Sequence, residues 1–491
     1  MDSRLPTIQI FLLLSSLAAL LFFALVSPIA RLQRQPSTII LPQASLVRIG
    51  QNASRPYRLQ ESWGPYSPYF SVDPYQDPPS GCVIVKVNIL QRHGARSPTA
   101  GPAEIMALAV SKLQQVERYH DMRLGFIRNY TFDLGIDELV PSGAIQSRLA
   151  GAEAFHRYKH LVSEDLIPFV RASSASRVVM SAQNWTHGFS VASNFEYDPL
   201  LSVIFDSHSN DTLHNYCPAI GSSENMTQTW IETDAKPIAE RLNAAAPGAN
   251  LSTNEVHHLM ELCAFDSAVI EGISKWCGLF NKEEWEGFEY AKDLDKYYGT
   301  GYGQELGPVE GVGYINELIA RLTSSPVHDA TQTNTTLDSS PITFPLNRTI
   351  YVDFTHDNQL VAIFSAMGLF RQQDPLDPTN PHSNGPNRTW VVSQLTPFAG
   401  RMVVEKMLCP SRKADRESDI HELEEFVRIL VNDAVQPLDF CSGNEGLCTL
   451  QNFVKSQGYA ISGGDDDWTK CFKAVEKSQE RPVRRPRIIS P

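Results

Sequence analysis

Residues 83–98 read VIVKVNILQRHGARSP, and this stretch decides the fold class. Val83, Val85, Val87 and Ile89 alternate with Ile84, Lys86 and Asn88, the period-two pattern of a strand. The strand runs directly into Arg92-His93-Gly94-Ala95-Arg96-Ser97-Pro98, where two guanidiniums flank one imidazole on a turn. Arginine grips phosphate oxygens two at a time and stays charged at any working pH. A neutral imidazole is a competent nucleophile, and neighbouring cations keep it unprotonated at lower pH. Gly94 is expected to allow a tight turn and close approach of a ligand to the backbone. Pro98 stops the strand and sets the loop that follows.

Two more segments repeat this layout further along the chain. Ile350–Thr355 (IYVDFT) reads as a strand ending at His356-Asp357, after which Leu360, Val361, Ile363, Phe364 and Met367 recur at helical spacing. Alone, His-Asp is a weak motif that also suits a helix start. After a strand it places a carboxylic acid where it could protonate a leaving alkoxide. Phe169–Arg171 reads as a short third strand, followed by SSASR and a helix from Val178. Strands feeding helices predict an α/β sheet, and such sheets bind ligands beyond the carboxyl ends of their strands. Residues from about 195 to 300 are more helical, as in Asn254–Glu261 and Glu283–Tyr297, and read as an inserted, mainly helical subdomain. Residues 329–345 and 373–388 read as surface loops, and no fixed-period repeat is visible.

Composition narrows the function. Of 491 residues, 42% are hydrophobic and 20% charged, which supports a large core and excludes global disorder. Lys and Arg number 42 against 55 Asp and Glu, a net charge of −13, so no nucleic-acid partner is expected. The same charge disfavours an anionic ligand unless positive charge gathers in one place. The eight cysteines contain no CxxC pair, so zinc ribbons and thioredoxin-like redox motifs are poor readings. No metal site is expected: His156 and His160 lack an HExxH context, and His257-His258 with Glu261 is equally weak. The glycines at 299, 301 and 303 do not make GxGxxG, and no GxSxG occurs.

Residues 1–6 form a short amino-terminal flank, and residues 7–30 carry no charge; their centre, Ile10–Val26, is IFLLLSSLAALLFFALV. A membrane helix needs roughly 20 apolar residues and a signal-peptide core about 7–15. Pro28 spoils the small-x-small cleavage pattern near Ala30, which favours an uncleaved signal anchor, a single-pass membrane attachment at 7–30, over a cleaved signal peptide. Residues 31–61 read as a stalk or linker, 62–476 as the main domain, and 477–491 as a basic disordered tail. Nine N-x-S/T sequons, at Asn52, Asn129, Asn184, Asn210, Asn225, Asn250, Asn334, Asn347 and Asn387, favour lumenal or extracellular exposure as a glycoprotein. The cysteines are then expected to be oxidised.

RHGARSP early and HD late, each after a strand, resemble the signature of the histidine acid phosphatases. The resemblance is close to the fungal secreted phytase (3-phytase) branch and covers most of residues 62–475. It includes WGPYSPYF at 63–70, nearly all of 307–358, PFAGRMVVEKMLC at 397–409 and VNDAVQPL at 431–438. It implies a phosphoglycerate-mutase-like α/β sandwich: a sheet flanked by helices, with a mainly helical insertion. By the same resemblance, His93 is a nucleophile that forms a phosphohistidine, and Asp357 is the proton donor. Arg92, Arg96, Arg177 and His356 bind phosphate; Arg171 is the rival for the third arginine. No metal and no cofactor are implied, and a monomer is expected. The implied disulfides are Cys82–Cys409, Cys217–Cys471, Cys263–Cys277 and Cys441–Cys448.

The expected partner is a phosphorylated small molecule, hydrolysed at acidic pH because Asp357 must be protonated. Substrate choice stays open. Phytases of this branch use extra lysines to hold myo-inositol hexakisphosphate, but here Lys112 is the one base between the motif and Arg118, and Asp295 stands where a lysine is frequent. Ser97 replaces a frequent tyrosine. The readings are therefore a phytase or a broad-specificity acid phosphatase; a surface glycoprotein that only binds phosphorylated ligands is the non-enzyme alternative.

Overall fold

The computed structural model describes residues 58–205, 210–385, 388–410, 423–441, 443 and 446–479. The strands are β1 (Val83–Arg92), β2 (Phe169–Ser173), β3 (Leu200–Ile204), β4 (Ile350–Thr355), β5 (Arg401–Pro410), β6 (Leu423–Val431), β7 (Ala434–Val435) and β8 (Leu447–Thr449). They form one sheet in the order β3-β2-β4-β1-β5-β6-β7, with β8 beside β6. The half from β3 to β1 is parallel. The half from β5 onward is antiparallel.

The longer helices are α1 (Ala100–Gln114), α2 (Pro141–Tyr158), α3 (Ser176–Ala192), α4 (Glu224–Ala245), α5 (Thr253–Ile270), α6 (Lys282–Gly299), α7 (Val312–Thr323) and α8 (Asp357–Met367). Strand alternation divides the apolar residues between the two faces. Val87, Ile89, Val170, Ala172, Ile350, Val352 and Phe354 pack with Ala150, Ala154, Trp185 and Phe189 of α2 and α3. Each fully buried Val, Ile or Phe side chain contributes about 1.5–3 kcal/mol of transfer free energy. Leu90 turns the other way and joins the larger core built by α4 to α8. The result is a sheet with helices on both faces, the α/β sandwich expected.

Two features differ from the sequence reading. The helical region expected from about residue 195 begins with a strand: Leu200–Ile204 pairs in parallel with β2 over Phe169–Ser173. Its five residues lie at the sheet edge and are mostly half-exposed, so they lack the apolar alternation that marks a buried strand. The antiparallel half of the sheet was also not foreseen.

The structure holds four disulfides, Cys82–Cys409, Cys217–Cys471, Cys263–Cys277 and Cys441–Cys448. The first joins the residue before β1 to the end of β5, which the Val83–Leu408 register brings side by side. Among the described sequons, Asn129, Asn210, Asn225, Asn250 and Asn347 are exposed. Asn184 is half-buried and its amide donates to the Met180 carbonyl at 2.9 Å. Asn334 is half-buried and accepts from the Leu337 N–H at 3.2 Å. Asn52 and Asn387 lie outside the described residues, as do residues 7–30 with their expected anchor or signal, most of the stalk, and the basic tail beyond Gln479. Among the described residues, no helix is long and apolar enough to cross a membrane.

Candidate active site

The parallel register sets Arg92 beside Thr355, so the chain leaves β1 and β4 at the same level. His93 and His356, the next residues, therefore emerge as neighbours, with ring centroids 5.6 Å apart. The His93 N–H donates to the Thr355 carbonyl at 3.0 Å. Next to β4, β2 delivers the turn that opens α3, where Arg177 is the second residue. Running the opposite way, β5 brings its entry segment to the same edge: the Arg92 N–H donates to the Gly400 carbonyl and the Ala399 N–H to that of His93, both at 2.9 Å.

The protonation of His93 follows from its partners. Its Nδ1 lies 2.8 Å from the Gly94 carbonyl, which can only accept, so Nδ1 carries the hydrogen and the Nε2 lone pair is left for chemistry. Burial, then Arg92, His356, Arg96 and Arg177, hold its pKa well below the usual 6.5. Gly94 has a different role from the one expected. A Cβ there would sit 2.1 Å from the Gly143 carbonyl oxygen, and one on Gly143 would sit 2.1 Å from that of Ala95. The glycines thus let the motif loop lie against the first turn of α2.

The three arginines are held differently. Arg92 is fully buried; its Nη1 donates to the carbonyls of Pro65 and Thr396, and its Nη2 lies 3.2 Å from Asp357. The Phe398 ring lies 4.7 Å from its guanidinium. Arg96 donates to its neighbour Ser97 at 2.7 Å and approaches Asp137 at 4.0 Å. Arg177 donates to Asp137 at 2.9 Å and, through Nη2, meets His356 Nδ1 at 3.3 Å. Arginine has no acceptor, so His356 Nδ1 accepts and its Nε2 carries the hydrogen. That Nε2 is buried without a hydrogen-bond partner among the described residues, as are the Nε groups of Arg92, Arg96 and Arg177. Burial, Arg177 and His214 push His356 down to about 3, so it is a neutral donor under acidic conditions.

Asp357 begins α8 with its carboxylate between Arg92 at 3.2 Å and Lys296 at 3.1 Å. Burial works to raise its pKa, but Arg92, Lys296, Arg96 and His93 overcome it and hold the carboxyl well below the usual range. The free site therefore keeps Asp357 ionised under acidic conditions, against the expectation that acid is needed to protonate it beforehand.

Sequence reasoning missed three residues here. Lys296, seen earlier only as the neighbour of a substituted position, touches Asp357 and bonds Asn358 at 2.6 Å. Asp137 bridges toward Arg96 and Arg177 from a loop with no motif of its own. The His214 ring lies 5.3 Å from that of His356. The rival Arg171 lies in the core instead, bonded to Asp353 at 2.7 Å and Glu317 at 2.6 Å. Strand alternation explains this: Val170 and Ala172 face α2 and α3, so Arg171 faces α7. Glu261, beside His257 and His258, pairs with Lys292. Among the described residues, no group of three or more His, Cys, Asp or Glu is placed to hold a metal.

Three guanidiniums and one imidazole N–H thus surround a buried neutral imidazole, an arrangement that can bind a tetrahedral oxyanion with its central atom facing Nε2. A family model described as the histidine phosphatase superfamily (branch 2) matches residues 83–432. Phytase A of Aspergillus oryzae is 38% identical over 432 residues, covering 84% of this chain and 90% of that one. Phytase A of Aspergillus terreus is 39% identical over 436 residues, covering 84% and 91%. The crystal structure of the phytase from D. castellii has the same fold, with a TM-score of 0.68 at 21% identity over 84% of this chain and 90% of that one. The family match spans both histidine motifs and the relatives cover more than four fifths of the chain, so the protein belongs to branch 2 of the histidine phosphatase superfamily.

Proposed function

We propose that the protein is a phosphomonoester hydrolase of the phytase kind, and that His93 attacks the phosphorus of a bound ester. The observation that carries this is the tautomer of His93: Nδ1 is committed to a carbonyl, so the Nε2 lone pair is free for attack, and Arg92, Arg96 and Arg177 are close enough to hold the ring neutral. Arg92, Arg96, Arg177 and the Nε2–H of His356 hold the phosphate oxygens. As the N–P bond forms, the P–O bond to the alcohol breaks, and Asp357 gives the leaving oxygen its proton. Water then attacks the phosphohistidine, Asp357 takes a proton from it, and phosphate leaves with His93 restored. No metal takes part in this scheme.

The proton reaches Asp357 with the substrate. Bound phosphate shares Arg92, weakens the clamp on Asp357 and raises its proton affinity. A phosphate ester dianion takes up one proton, becoming the monoanion, near pH 6. An acidic optimum thus reflects the monoanionic ester that carries the proton in, while His93 stays neutral well below 6.5.

The Phytase A relatives support myo-inositol hexakisphosphate as a substrate. A broader acid phosphatase is the second reading, favoured by Asp295 and by Lys112, which is neutralised by Glu255 at 2.7 Å. The apolar residues 7–30 and the exposed sequons support a secreted or membrane-anchored enzyme with its catalytic domain, about residues 62–476, outside the cytosol. The test is hydrolysis of phenyl phosphate and phytate by the purified protein at about pH 5, near the second phosphate ionisation. Activity that survives His93→Ala, or that a chelator removes, refutes the scheme. The kcat/KM ratio of the two esters separates phytase from general phosphatase, and amino-terminal sequencing of the mature protein separates signal peptide from anchor.

A further inference from the structure

Asp137 lies just before α2, in a loop bonded to the motif along its length. Its N–H donates to the Pro98 carbonyl and the Ser97 N–H to that of Glu138, both at 2.8 Å. The Val140 N–H donates to the Ala95 carbonyl at 3.0 Å, and Arg96 and Leu139 pair as an antiparallel bridge between these bonds. Asp137 takes a φ of 58°, the left-handed region that few side chains adopt and that Asp and Asn tolerate best. Such strain persists where surrounding bonds impose it, and it gathers at functional sites. The backbone of Asp137 is thus fixed to the loop that carries Arg96.

The two carboxylate oxygens are used differently. Oδ2 accepts from Arg177 Nη1 at 2.9 Å. Oδ1 is buried, has no hydrogen-bond partner among the described residues, and lies 4.0 Å from Arg96 Nε. That Nε is also buried and also lacks a partner among them. A buried donor and a buried acceptor thus stand about 1 Å farther apart than a hydrogen bond needs. The charges point the same way. Burial lowers the proton affinity of Arg177, and the nearby Arg96 adds to this, while Asp137 opposes them more strongly than Asp357 does.

We propose that Asp137 is a positioning residue: it holds Arg177 in the free protein, and its second oxygen takes the Arg96 Nε–H when a phosphoryl group draws the two guanidiniums together. The carboxylate then fixes both arginines relative to each other while charge develops on the transferred oxygens, the stage at which preorganised donors gain most. It acts through the arginines and not on the ester itself. The inference rests on the phosphatase reading above and adds to it a residue that neither RHGARSP nor HD contains.

The test uses Asp137→Asn, which keeps the size and the tolerance for positive φ and removes the charge. It should lower kcat for phenyl phosphate about tenfold, as a small misplacement of donors does. Ki for inorganic phosphate should stay within about twofold or fall, because losing a negative charge beside two cations favours a bound anion and only the transition state needs the exact geometry. An unchanged kcat in the folded protein overturns the proposal, and so does a rise in Ki that matches the loss in kcat/KM. Should the variant fail to fold, crystals of the wild-type protein with bound orthovanadate still decide. Asp137 Oδ1 and Arg96 Nε should close from 4.0 Å to about 3 Å, and a gap that stays open sinks the idea. A wild-type protein that binds orthovanadate and leaves phenyl phosphate intact refutes the phosphatase reading itself, which is a different failure.

Discussion

Arg171 and Arg177 lie six residues apart, and Asp353 and Asp357 four apart, yet the first of each pair is buried in the core and the second is partly exposed. In the inner cluster, Arg171 and Arg321 meet Asp353 and Glu317, with contacts of 2.7, 2.6 and 2.5 Å. Each buried cation there has a carboxylate, as low dielectric demands. In the outer cluster, Arg92, Arg96, Arg177 and Lys296 converge on Asp357 and Asp137. Cations outnumber carboxylates, and three guanidinium Nε groups and one imidazole Nε2 have no hydrogen-bond partner among the described residues. The inner set also leaves one guanidinium nitrogen, Arg321 Nε, without a partner among the described residues, but its cations and carboxylates match in number, whereas the outer set keeps cations in excess. A net charge of −13 does not oppose anion binding, because the field that matters is local.

This contrast can be broken at several points. The largest effect is expected from His93→Ala, which should cost about 10⁴-fold or more in kcat, as loss of a nucleophile does elsewhere. Asp357→Asn should cost about 10²–10⁴-fold, and more for alkyl esters than for phenyl phosphate, since a phenolate leaves more easily without a proton. Steady-state kinetics on both ester types checks each.

The two arginines of one segment give the sharpest division. Arg177→Ala should lower kcat/KM by about 10²–10³-fold with little change in melting temperature. Arg171→Ala should destabilise the fold by about 3–5 kcal/mol, because it strands the buried Glu317 and takes from Asp353 one of its two arginines, and leave the folded fraction active. Denaturant titration beside kinetics would expose a swap of these outcomes, and a swap would end the comparison.

The pH dependence of stability tests the inner cluster. Burial raises Asp353, but Arg171 and Arg321 outweigh it and bring the group down to about 2, below the usual 3.9 of the unfolded chain. Its contribution is therefore present above about pH 4 and lost as pH falls through about 2. Asp234 and Glu310 run the other way: burial pushes both up to about 7. Their contribution is fully present below about pH 4, the unfolded carboxyl value, and is lost as pH rises through about 7. Calorimetry should find the melting temperature rising as pH drops from about 8 toward 5, then falling as it nears 2. A monotonic profile contradicts this, and Asp353→Asn should flatten the acid limb.

The smallest expected effect is at the rim. Asp295 is 40% exposed and stands 3.6 Å from Lys296. Asp295→Lys should raise the kcat/KM ratio of phytate to phenyl phosphate about two- to fivefold, the scale of a partly solvated charge, and high salt should erase the gain.

How legible the site was depended on where each residue sits in the chain. RHGARSP and HD stood out because each follows an apolar strand and packs several reactive groups into a few residues. Arg177 came from the resemblance, and its distinction from Arg171 needed the sheet, since only pairing shows which face a strand residue takes. Asp137 and His214 lie in loops with no pattern, and Lys296 sits in a helix whose sequence does not say which turn meets Asp357. β3 was missed because an exposed edge strand carries little apolar periodicity. The ionised state of Asp357 in the free site was not legible for a related reason: it depends on Arg92 and Lys296, from two other elements.

The amino-acid sequence by itself determined which groups are available and where the backbone delivers them, because strand alternation, turn residues and motif spacing are local properties of the chain. Tertiary structure alone decided which charges cancel and which remain for a ligand. A guanidinium is structural or functional according to the carboxylates within about 4 Å of it, and those come from residues distant in the chain. Arg171 found two and became part of the core; Arg177 shares one and stays partly exposed beside His356.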